Sequence, residues 1–119
     1  MEKKMRYEQQ LWSKETGWKN ILGQIEPDKA TLVLYFGGRE AIQSGEIYRS
    51  LATQYPKAHV VGCSTGGEIV GSEVHDNTVT SIALQFTATK IKVTSCPITT
   101  NSFDAGVKIA QDLKADDLV

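Results

Sequence analysis

Apolar positions along the chain fall into short runs whose spacing switches between two residues and three or four, and each switch marks an expected element. In residues 6–12 (RYEQQLW), Tyr7, Gln9 and Leu11 alternate with Glu8, Gln10 and Trp12, the period of an edge strand. After Gly17, the positions Trp18, Ile21, Leu22 and Ile25 take helical spacing, interrupted at Gly23 and closed by Pro27, so a short helix is expected. Residues 30–36 (ATLVLYF) form a continuous β-prone apolar run ended by Gly37-Gly38. Such a run reads as a strand buried on both faces in the middle of an α/β sheet.

From Glu40 to Tyr55, the residues Ile47, Tyr48, Leu51, Ala52 and Tyr55 recur at helical intervals with Glu46, Arg49 and Gln54 between them. This predicts an amphipathic helix stopped by Pro56. A strand over 58–61 then runs into GCSTGGEIVG, and strand, helix and strand make one βαβ unit. Residues 78–86 alternate, with Ile82, Leu84 and Phe86 on one side, and Ile91 and Val93 alternate with Lys90 and Lys92. The two runs read as a hairpin joined near residues 87–89, its lysines marking an exposed edge. Ser102 is the expected N-cap of a last helix reaching about Leu113, with Asp104 in its first turn and Phe103, Val107, Ala110 and Leu113 as its apolar side. Leu118-Val119 resembles the opening of a further strand, so the chain reads as truncated at its C-terminus. The expected fold is one α/β domain over residues 1–119, a mixed β-sheet flanked by helices, with a βαβ unit followed by a hairpin and a helix.

Composition narrows the functions available. At 119 residues and 13.1 kDa there is room for one domain, and 40% hydrophobic with 23% charged residues is ordinary globular usage. Thirteen basic and fourteen acidic side chains leave a net charge of −1, without the basic excess that phosphate backbones require, so nucleic acid is not an expected partner. MEKKMRYEQQ has cations but no apolar stretch behind them, and no run approaches the roughly 18–20 apolar residues of a membrane span. A cytoplasmic protein without membrane partners is expected. Cys63 and Cys96 stand apart without paired Cys/His spacing, which signals neither a disulfide framework nor a zinc site.

The densest polar cluster is Gly62-Cys63-Ser64-Thr65-Gly66-Gly67-Glu68, directly after an expected strand. A turn there lines the carboxyl edge of the sheet, where α/β proteins bind ligands. Its glycines allow close backbone approach, and its N–H groups with the Ser64 and Thr65 hydroxyls suit a carboxylate or phosphate. The plainer reading is a tight turn whose polar side chains cap it. Glu68 suits a ligand ammonium or a capping role, and Arg39, following Gly37-Gly38 at the same edge, suits a ligand carboxylate or simply the surface.

Two catalytic readings compete. Gly62 to Gly66 matches Gly-x-Ser-x-Gly, but that elbow needs a helix straight after the serine, and GGEIVGSEV is a poor helix. Cys63 as a nucleophile needs His59 or His75 as its base. His59 lies four residues away, roughly 13 Å in an extended strand, and a buried, inert thiol is the favoured alternative. His75 reads as a turn residue, and Trp12 and Trp18 as core or rim. No enzyme is expected.

The string HVVGCSTGGEI, with TLVLYFG and LATQYP before it, TVTSIALQF after it and LWSKETGW upstream, resembles the N-terminal part of FIST domains (F-box and intracellular signal transduction). The resemblance implies a sensory input domain that binds a small ligand such as an amino acid. It also implies an output partner of histidine kinase, diguanylate cyclase or chemoreceptor type, and it leaves self-association open. No cofactor is expected on the main reading; the alternative is a haem-binding nitric oxide sensor, as some FIST proteins are. The family motif falls on Gly62, Cys63, Ser64, Thr65, Gly66, Gly67 and Glu68.

Overall fold

The computed structural model describes residues 5–65, 68–70, 73–75, 77–99 and 101–114, with 68–70 and 73–75 described by their backbone alone. The chain divides into two compact units, Met1–Thr89 and Lys90–Val119.

The first unit holds β1 (Met5–Ser13), β2 (Gly17–Gly23), β3 (Leu32–Gly38), α1 (Arg39–Gln43), α2 (Glu46–Gln54), β4 (His59–Thr65), β5 (Glu68–Val70), β6 (Glu73–His75) and β7 (Val79–Phe86). Five strands form a mixed sheet in the order β2-β1-β7-β3-β4, in which β3 and β4 are parallel and the other pairs antiparallel. β5 and β6 form a separate two-stranded ladder. The βαβ unit is therefore present as β3, α1 with α2, and β4, and the α/β class holds.

Several elements depart from the sequence reading. β1 is an interior strand, paired with β2 on one side and β7 on the other, rather than an edge. Residues 17–23 form β2 and not a helix, because they fold back on β1 through the turn at 14–16. The register slips between Gln9 and Gln10, so Gln9 faces Leu22 while Gln10 faces Asn20. The extra residue is a β-bulge, which breaks the period of two and leaves Trp18, Ile21 and Leu22 at spacings that imitate a helix. The expected helix over 40–55 is two helices, interrupted at Ser44 and at Gly45, whose φ of 79° lies in the left-handed region.

The hairpin expected between 78–86 and 90–93 does not form: both edges of β7 are taken, by β1 and by β3, and residues 90–99 contain no strand. β3 is central but fully buried on one face only. Val33 and Tyr35 point to the covered side, whereas Leu32 and Leu34 are half-buried and Phe36 is 39% exposed. The reason is that the core lies on one face, where Ile47 and Leu51 of α2 and Tyr55 behind it meet Val33, Tyr35, Val79 and Ala83. Trp12 and Trp18 pack against the rim of that core, as expected.

Side-chain hydrogen bonds fasten α2, and Tyr55 directly after it, to the first hairpin. Trp18 donates its indole N–H to Ser50 Oγ at 2.9 Å, and Tyr55 donates its hydroxyl to Glu8 Oε2 at 2.5 Å. Burial first, then the hydrogen bond and the charge of Glu8, push the Tyr55 hydroxyl well above the usual phenol range.

In the second unit, α3 (Ser102–Lys114) begins as expected, but its cap is one residue earlier: Asn101 Oδ1 accepts the Asp104 N–H at 2.8 Å. Lys92 donates to the Asp112 carbonyl at 3.0 Å, and Thr94 to Asp112 Oδ2 at 3.1 Å, which ties the preceding segment to this helix. Phe103 and Val107 of its apolar side are exposed. The expected strand at Leu118-Val119 lies outside the described residues.

Candidate functional site

β3 and β4 run in the same direction and end together, with Gly37 level with Ser64 and Gly38 level with Thr65. Arg39 opens α1 directly after Gly38, so the shared register brings Arg39 and Ser64-Thr65 to one carboxyl edge. Sequence reasoning expected this convergence. It read Gly62 to Thr65 as part of a turn, whereas these residues continue β4 as strand. Gly66 and Gly67 lie outside the described residues, and Glu68 opens β5, its side chain also outside them.

Each described member has its own environment. Gly62 is required by packing: a Cβ there would overlap the Tyr35 ring, which lies across the strand at the paired position. Burial raises the Tyr35 hydroxyl above its ordinary range, and the charges of Tyr48 and Cys63 act in the same direction. Cys63 is exposed, which corrects the expectation of a buried thiol; it pairs with Phe36, on the sheet face opposite Tyr35. Both cysteines are free. Ser64 is exposed and Thr65 half-buried. Arg39 is exposed, with no ion-pair partner among the described residues.

Backbone placement bears on two of the features those catalytic readings invoke. Strand continues through Thr65 and strand follows at Glu68–Val70, so no helix begins at the residues described after Ser64. His59 is exposed at the opposite end of β4 from Ser64, level with Leu32. His75 ends β6 instead of sitting in a turn. Among the described residues, no three or more His, Cys, Asp or Glu side chains gather as a metal site.

Sequence reasoning missed a cavity of about 680 Å³ at this same edge, on the β1 and β7 side of β3. Its walls come from the end of β1 (Trp12), the following turn (Lys14, Glu15), the helices (Glu40, Ser44, Glu46) and the approach to β7 (Asn77, Thr78). The strand order explains the assembly: β1 runs with β3, so both deliver their carboxyl ends here, while antiparallel β7 delivers its amino end. Gly38 N–H donates to the Thr78 carbonyl at 3.1 Å and holds that wall to β3. Ser44 Oγ accepts the Glu46 N–H at 3.2 Å and fixes the start of α2. Three carboxylates against one ammonium give the cavity a negative lining beside an indole, the environment that attracts a cationic group. The signal available in the sequence was Glu40, next to the Gly37-Gly38-Arg39 string already singled out.

No helix among the described residues is long and apolar enough to cross a membrane. No curated protein and no solved structure matches the chain. The family model of the FIST N domain matches residues 31–119, from the start of β3 through the last residue and including the whole Gly62 to Glu68 string. The β1–β2 hairpin, which supplies Trp12, Lys14 and Glu15 to the cavity, precedes the matched segment. With three quarters of its length matched, the chain belongs to the FIST N domain family, a family associated with signal transduction.

Proposed function

We propose that this is a cytoplasmic sensory domain that binds a small zwitterionic ligand, an amino acid, at the carboxyl edge of the sheet, and that it signals by binding rather than by catalysis. The observation that carries the reading is the common ending of β3 and β4, with Arg39 beside Ser64-Thr65 on one side and an acidic cavity on the other. Charges of opposite sign at a single edge suit the two ends of an amino acid. In this reading Arg39 and the Ser64 hydroxyl take the carboxylate, with Gly66, Gly67 and Thr65 completing the cradle. Glu40, Glu46 and the Trp12 face take the ammonium, with Glu68 as a further carboxylate for it. A signalling module of kinase, cyclase or chemoreceptor type reads the result. A ligand that prefers one conformation tenfold shifts the balance by about 1.4 kcal/mol, which is enough to alter contacts with that module.

Native mass spectrometry of gently purified protein, followed by calorimetric titration with an amino-acid panel, tests this. The expected result is a retained small mass lost on denaturation, binding of at least one amino acid, and affinity lowered tenfold or more by Arg39→Gln and by Glu40→Gln. Unchanged affinity in folded Arg39→Gln and Ser64→Ala proteins overturns the site. A coloured species with a Soret band overturns the ligand class in favour of haem.

A further inference from the structure

We draw no further inference here: the strongest candidate outside the site already described, the outer edge of β4 with the exposed Val61 and Cys63 beside it, is an unpartnered strand edge among the described residues, and nothing in the structure shows what covers it.

Discussion

β3 and β4 lie side by side in parallel register and are built from similar small and apolar residues, yet their surroundings differ. β3 is bonded on both sides and sends Val33 and Tyr35 into the core, where Val33 is 0% exposed. β4 is bonded to β3 alone within its sheet, and five of its seven residues are exposed. Burial therefore follows the place of a strand in the sheet more than its own apolarity. The exposed strand is the one that carries Ser64 to the carboxyl edge of the sheet, while the buried one beside it is anchored in the core.

The contrast can be tested from its strongest point downward. Leu51→Ala, on the helix face that covers β3, removes a fully buried side chain. It should cost about 2–5 kcal/mol in urea unfolding, the range for cavity creation in a core. Gly62→Ala asks whether one residue of β4 belongs energetically to β3, since its new methyl must displace the Tyr35 ring. The expected loss is about 2–3 kcal/mol by overpacking; a neutral result would show that the Tyr35 ring gives way and that packing does not require Gly62.

Tyr55→Phe should cost about 1–2 kcal/mol, because Glu8 keeps Asn20 as a donor at 3.2 Å after losing the hydroxyl. The same group sets a pH signature. Its folded pKa is raised above the unfolded value of 10.0, so its contribution is complete below that value and declines as pH rises from there toward the folded pKa. Denaturation scans of the parent protein should show this alkaline loss, and Tyr55→Phe should lose less over the same range. Smallest of all, Val61→Ala on β4 should change stability by no more than about 0.5 kcal/mol, as at most surface positions. A loss above about 1 kcal/mol would show that this part of β4 is covered in solution.

Legibility in the sequence had a physical limit, which was pairing. The uninterrupted ATLVLYF run, the alternation of 78–86 and the Ser102 start of α3 are local signals, and β3, β7 and α3 lie within two residues of where those signals place them. β2 was misread because its bulge against β1 shifts the alternation by one residue, something visible only with the partner strand present. Ile91 and Val93 have a strand-like period, but a hairpin needs a free edge, and β7 has none. The site divides in the same way. Arg39 and Ser64-Thr65 were legible because two parallel strands with glycine endings imply a common edge. The cavity was not, because Trp12, Glu40, Glu46 and Asn77 come from distant segments that only the completed sheet brings together.

The position of β7 has a consequence for how the molecule is assembled. The β1–β2 hairpin and the β3–α1–α2–β4 unit are each made of neighbours in sequence and can form early. They share no strand pairing with each other; every hydrogen bond of the sheet that joins them passes through Val79–Phe86. Without β7 the two parts would keep only side-chain contacts, such as Trp18 with Ser50 and Tyr55 with Glu8, and no backbone ladder between them. The edge where β1 and β3 end together is thus closed by the strand of the sheet that comes last in the chain, across the longest loops the sheet must close.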